Sequence, residues 1–332
     1  MPNYCNNGLE IIINHENPEL HKVVHSEVVK LIDGSLENRF KTIQVKLQKI
    51  ALAGAAGLLK PHSSINVDEF NYLNAKTHNM FDTSERRNTG SSIAYTEFLL
   101  AIAKLSVNSS NFDYFDELYE RVGIHNVFWG DIPQGIRTKM KSLIRGCGFD
   151  FGIGFRSNPE VYWSHNAFEK INESQHGELD FKMLTSIPVD SMINGFNGQF
   201  FSKKGITTIQ SGYNFNCSHF GVKWENVWVD NTNELIEGEE HLVLKFATAW
   251  NQPNGLPELI KNYLVEKLNK KMNTEFDESI VDINLYFAEP GCAFQGINDD
   301  IWDYTINWTD EDEDEDEDED DNLDERISNM IW

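Results

Sequence analysis

The chain has 332 residues, 40% hydrophobic and 12% aromatic, with 53 acidic against 28 basic residues and a formal charge of −25. That apolar content supports a folded core, and the length leaves room for two domains, so a wholly disordered chain is excluded. The acidic balance excludes a broad basic face for a phosphate backbone and instead fits a partner that is itself basic.

In chain order, Asn6-Asn7-Gly8 carries turn chemistry and Leu9 to Ile13 is short and β-branched, so a turn leading into a strand is expected. From Pro18, the apolar residues Leu20, Val24, Val28 and Leu31 recur at helical spacing, and Asp33-Gly34 reads as a stop. A longer helix should follow, with Ile43, Leu47, Ile50, Gly54 and Leu58 on one stripe and Pro61 ending it. The segment around Phe98 to Ala103 is apolar almost all round and predicts a buried helix, far short of the roughly 20 residues that span a bilayer. Two amphipathic segments, Phe112 to Arg121 and Pro133 to Arg145, complete a helical region.

After a tight turn at Asn194 to Gly198, the chain becomes strand-rich. Leu242, Leu244, Phe246 and Trp250 alternate onto one strand face, opposite Lys245. Pro257 suits a first helical turn, with Ile260, Tyr263, Leu264 and Leu268 on one stripe. Val281, Ile283, Leu285 and Phe287 then alternate with Asp282, Asn284 and Tyr286. Strand, helix and strand make a β-α-β crossover, half of a ferredoxin-like plait.

Six segments carry a family resemblance: "MPNYCNNGLEI" at the start, "LAGAAGLL" from Leu52, "NGFNG" from Asn194, "FGVKW" from Phe220, "FATAWNQP" from Phe246 and "YFAEPGCAFQG" from Tyr286. In this order they resemble the YubP-like family of uncharacterised proteins carried by conjugative plasmids and phages, over about residues 1 to 296. The resemblance implies an Api-type ferredoxin-like C-terminal domain and a mobile-element setting, and no established activity. The acidic C-terminal run departs from the pattern expected of that family.

The candidate sites are few. His21 and His25 share a helical face, but H-K-V-V-H lacks the glutamate of a zincin pair, and a solvated helix edge is the plainer reading. Cys217 and His219 suggest a nucleophile and base, but no orienting Asn or Asp can be assigned to them. Trp224, Trp228 and Trp250, with Lys223 and Glu289, could line a groove on the plait, against the alternative that the tryptophans fill its core. Cys5, Cys147, Cys217 and Cys292 form no C-x-x-C pair, and no signal peptide is evident, so a reducing cytoplasm is expected.

The strongest feature is the acidic run from Asp310 to Asp321, twelve consecutive carboxylates beginning Asp310, Glu311, Asp312 and Glu313 and closing on Asp320 and Asp321. From Asp310 to Arg326 there are 14 acidic residues and one basic, a charge of −13, which leaves −12 for the rest of the chain. Such runs are often solubilising and disordered. Here an amphipathic stretch follows, ending in Met330, Ile331 and Trp332, so a desolvated anchor beside an electrostatic decoy is the functional reading.

The expected fold is α+β: a ferredoxin-like plait with a large helical insertion and a disordered acidic tail. Residues 1–38 form a first strand and helix, 39–170 a helical subdomain, 171–308 the ferredoxin-like domain and 309–332 the acidic tail with its apolar tip. The expected function is non-enzymatic: a cytoplasmic phage or plasmid accessory that binds a basic host protein, one that handles nucleic acid or serves defence. The Met330-Ile331-Trp332 tip would contribute to that contact, with no direct nucleic acid, membrane, cofactor or metal. The alternatives are a small enzyme using Cys217, His219 or Glu289, and an auxiliary factor in DNA transfer or replication that docks through the tip.

Overall fold

The structure is a computed structural model of mixed helix and sheet, of the α+β class. It describes residues 4–58, 104–146, 159–164, 178–195, 200, 210–223, 226–230, 235–290, 294–298, 300–303 and 328–331. The chain divides into two compact units. The first comprises Met1–Glu37, Gln175–Thr185 and Asn216–Trp332, and the second Asn38–Ser174 and Ser186–Phe215. The expected stretch 171–308 is therefore split, because residues 186–215 belong with the helical unit.

Four short strands, β2 (Ser106–Val107), β3 (Glu178–Asp180), β4 (Ile187–Pro188) and β5 (Asn226–Trp228), pair β2 with β4 and β3 with β5. The centre of the first unit is strand β1, Tyr4–Ile13, flanked by β6, His241–Ala249, and β7, Val281–Glu289. It runs antiparallel to both, with Leu9 opposite Leu244 on one side and Leu285 on the other. β8, Phe294–Ile297, and β9, Asp300–Asp303, extend the sheet in the order β6-β1-β7-β8-β9. β6 and β7 are thus joined by a helix and separated by β1, the crossover that the alternation in residues 241–289 predicts.

Two long helices belong to this unit among the described residues. In α1, Pro18–Ile32, the Asn17 side chain accepts a hydrogen bond from the Glu19 N–H at 3.1 Å, and Leu20, Val24, Val28 and Leu31 are all buried. The later helix, Leu256–Met272, has Pro257 in its first turn and buries Ile260, Tyr263, Leu264 and Leu268. Both helices pack against each other, and the later one packs against β7. On that side of the sheet Leu9, Ile11, Leu242, Leu244, Phe246, Ile283 and Leu285 are buried, and the Phe246 ring meets that of Phe181 at 6.3 Å between centroids. Each such side chain contributes about 1.5–3 kcal/mol by leaving water.

Three local expectations change in this unit. Asn6-Asn7-Gly8 lies inside β1 and is not a turn. Asn7 is held there by its own side chain, which donates to the Cys5 carbonyl at 2.8 Å and the Thr248 hydroxyl at 3.0 Å. Trp250 does not continue the β6 face, because its φ of 80° carries it out of the strand and leaves it 46% exposed. His21 is not on a solvated edge: it is buried, with Nε2 2.6 Å from the His15 carbonyl oxygen.

The second unit is organised on α2, Ser35–Ala56, most of which lies in it. The one-sided stripe read from sequence widens to burial nearly all round, including Phe40, Ile43, Leu47, Gln48, Lys49, Ile50 and Ala53. The helix ends before Pro61. Gly57 at φ 83° gives its N–H to the Gly54 carbonyl, and Leu58 gives its own to the Ala53 carbonyl at 2.8 Å, the paired bonds of a left-handed glycine stop. α3, Phe112–Val122, and α4, Gln134–Gly146, follow as the amphipathic pattern predicts, and α5, Pro159–Trp163, is a short turn of helix. α3 is tied to α2 by Asp116, which pairs with Arg39 and with Lys46 at 2.5 Å. The apolar segment at Phe98–Ala103 lies outside the described residues.

Candidate functional site

Among the described residues, three places bring chemistry together, two on the sheet of the first unit and one inside the second. The first is the sheet face opposite the helices, where residues 328–331 form a helical turn against the strands. Ile331 is 7% exposed and packs with Tyr286 and Ala288, joined by Met330 and Ile297. Gly8 lies beneath them. A Cβ there would stand 2.3 Å from the Met330 carbonyl oxygen, so only glycine lets that backbone approach. Lys245 donates to the Asn329 carbonyl at 3.3 Å.

Beside this contact Glu10, 4% exposed, accepts hydrogen bonds from Tyr286 Oη at 2.8 Å and Asn284 Nδ2 at 2.9 Å, and its Oε1 lies 2.7 Å from His241 Nε2. Burial works to raise its pKa, but these hydrogen bonds and the imidazole charge outweigh it and hold the carboxyl below its ordinary value. Two of the sequence-predicted anchor residues, Met330 and Ile331, are therefore seated on their own chain. Trp332 and the carboxylates Asp310 to Asp321 lie outside the described residues.

The second place is the end of the sheet where the groove was expected. Lys223 Nζ stands 5.4 Å from the Trp250 ring centroid, so these two do meet. Glu289, however, is 1% exposed and lines no open groove. It lies near Cys5, whose thiol is pushed up to about 12 by burial first and by the Glu289 charge second. A thiol so held is packing and not a nucleophile. Trp224 lies outside the described residues. Cys217 and His219 fall on the helix Gly212–His219, where residues two apart diverge, and the His219 Nδ1 lies 3.0 Å from the Ser218 hydroxyl. Among the described residues no cluster of three or more His, Cys, Asp or Glu side chains could hold a metal. No helix among them is long and apolar enough to cross a membrane.

The third place went unread in the sequence. In the second unit a cavity of about 320 Å³ is walled by Tyr119, Phe128, Trp129 and Trp163, with Lys49 and Glu160 also lining it. Lys49 is 1% exposed, and its Nζ donates to the carbonyl oxygens of Trp163 at 3.0 Å and Ser164 at 3.3 Å. Desolvation, aided by the like charge of Lys46, brings this amine down to about 7. Burial also raises Tyr119 and Tyr162 well above the ordinary phenol value. The one available signal was Lys49 standing next to "IALAGAA", where a helix apolar on every side leaves a lysine no solvent.

Comparison with known proteins places the chain in a family. A family model described as a protein of unknown function, DUF1281, matches residues 40–224, and the chain belongs to that family. Its fold is similar to the crystal structure of a protein api92 from Yersinia pseudotuberculosis, also of DUF1281. The two are 19% identical at a TM-score of 0.55, over 92% of this chain and 95% of that one. No curated protein matches.

Proposed function

We propose that this DUF1281 protein is a non-enzymatic accessory of a phage or plasmid, of the YubP-like group, that binds a basic host protein in the cytoplasm. Its partner handles nucleic acid or takes part in defence, and the acidic run competes for the surface that would otherwise hold phosphates. The observation that carries this reading is the concentration of charge: a −13 segment within a chain of −25. In an extended chain alternate carboxylates recur roughly 6.5–7 Å apart, twice the rise per residue and near the phosphate spacing of a single strand. A ferredoxin-like plait as the scaffold is supported by β1 lying between β6 and β7, with a helix joining those two.

The seating of Ile331 on Tyr286 refines the order of events. The acidic run makes the first contact, and Met330 and Ile331 contribute to the partner only after leaving Gly8. Full-length protein and a version stopping at Thr309 are exposed to host lysate at low and moderate salt, and the retained proteins are identified by mass spectrometry. Retention of one basic protein by the full chain alone, released by salt, is the expected result. Equal retention by both versions would sink the decoy reading.

A further inference from the structure

We propose that the cavity of the second unit binds a small, flat aromatic aldehyde and holds it as an imine on Lys49. This stands apart from the acidic run and its partner. At about 320 Å³ the cavity lies at the small end of ligand sites, enough for a molecule of one or two rings. Four aromatic side chains, Tyr119, Phe128, Trp129 and Trp163, form its walls, and rings stack on flat ligands offset or edge-on. Phe128, one of the lining residues, is 67% exposed, so the lining reaches the surface.

Lys49 supplies the reacting atom. The carbonyl oxygens of Trp163 and Ser164, both cavity-lining residues, fix the position of its Nζ. Burial favours the uncharged amine, the form that has a lone pair to give. Among the described residues, the titratable and charged groups around it are Lys46 on the same helix, Tyr119 on α3, Tyr162 and Glu160 on α5, and His125 in the loop after α3. Lys46 is itself paired with Asp116 at 2.5 Å.

The step balances without an oxidant or reductant. The Nζ lone pair attacks the carbonyl carbon and a C–N bond forms. The carbonyl π electrons move to oxygen, which takes a proton, giving the carbinolamine. Loss of that oxygen as water and of the last nitrogen proton leaves the C=N bond. A carboxylate ligand would need Lys49 charged, which burial opposes.

The full-length protein is incubated at pH 7.5 with salicylaldehyde at less than one equivalent, reduced with cyanoborohydride and mapped by peptide mass spectrometry. The expected result is a dominant adduct on Lys49, forming about tenfold or more faster than on exposed Lys22. Lys49→Arg removes it, with an unchanged circular dichroism spectrum showing that the fold persists. Phe128→Ala, at an exposed position, keeps the adduct but slows it several-fold. Labelling of surface lysines with Lys49 untouched would overturn the proposal. So would labelling of Lys49 no faster than Lys22, or protection of the aromatic walls by benzoate with no imine formed.

Discussion

Glu27 in the first unit and Lys49 in the second are both nearly inaccessible, at 3% and 1% exposure, yet their surroundings differ in kind. Glu27 receives Lys271 at 2.6 Å, Lys30 at 2.7 Å and the Tyr263 hydroxyl at 3.2 Å. Burial pushes its carboxyl up, but the hydrogen bonds and charges of these lysines outweigh that and hold it below its ordinary value. Among the described residues, Lys49 donates to the carbonyls of Trp163 and Ser164, and the like charge of Lys46 adds to the effect of its burial. The first unit thus uses its buried charge as a permanent joint between α1 and the helix Leu256–Met272. The second keeps an amine whose charge is conditional on pH, and it keeps it in a cavity. Permanent pairing is structural, whereas a group poised near neutrality is equipped for chemistry.

The largest effect should follow from breaking the joint. Glu27→Ala leaves two cations and a phenol facing each other, though Lys30 and Lys271 are 44% and 39% exposed and can partly rehydrate. A loss of about 2–3 kcal/mol, read from urea midpoints, is expected. A loss no larger than that of the exposed Lys22–Glu19 pair, removed by Glu19→Ala, would mean that Glu27 is no structural joint.

Next comes the pH response of Lys49. Its folded pKa lies below the unfolded value of 10.5, so the unfolded chain binds more protons between about 7 and 10.5, and stability rises with pH there. Burial raises the Cys5 thiol and the Tyr119 and Tyr263 phenols, which increasingly opposes that rise above about 9. From pH 7 to 8.5 the wild type should therefore gain about 1–2 kcal/mol, and Lys49→Met should stay flat. Parallel slopes in the two proteins would mean that Lys49 is charged throughout.

Smaller effects are expected at the seat of residues 328–331. Gly8→Val forces a side chain into the place of the Met330 carbonyl and should detach the segment. The loss is limited to the free energy that holds it, about 1–2 kcal/mol for the burial of Ile331. Hydrogen exchange at residues 329–331 should become fast while the amides of β1 stay protected, and loss of β1 protection would mean that the glycine serves the strand alone.

The smallest effect concerns Glu10. Its folded pKa is depressed, so its contribution is present above 4.5 and lost as pH falls through the folded value. Glu10→Gln should flatten the acid limb of stability below 4.5 by about 1 kcal/mol or less. An unchanged acid limb would show that other carboxyls set it.

Much of the scaffold was legible because its determinants are local. The alternation in Val281 to Phe287, the spacing from Leu20 to Leu31 and Pro257 at a helix start all predicted elements that the structure contains. Reading failed where the deciding partner is distant. Gly8 looked like part of a turn because the backbone that requires it, at Met330, comes from the far end of the chain. Tyr286 was assigned to the polar side of its strand, and it is covered by Ile331 and bonded to Glu10. Lys49 went unread because the only local sign of its burial is the apolar run Ile50 to Ala56 beside it, and the aromatic walls around it come from distant segments. Trp250 continued the alternation on paper, but the backbone turns left-handed there.

The most direct test of the contrast between the two units is the titration of Lys49 itself. Lysine is labelled with carbon-13 at Cε in the full-length protein, and the resonance is assigned by its absence in Lys49→Arg. The Lys49 resonance is expected to titrate near 7, well separated from that of exposed Lys22. A Lys49 resonance moving only near 10.5 with the surface lysines would contradict it, and the second unit would then hold a structural cation like any other.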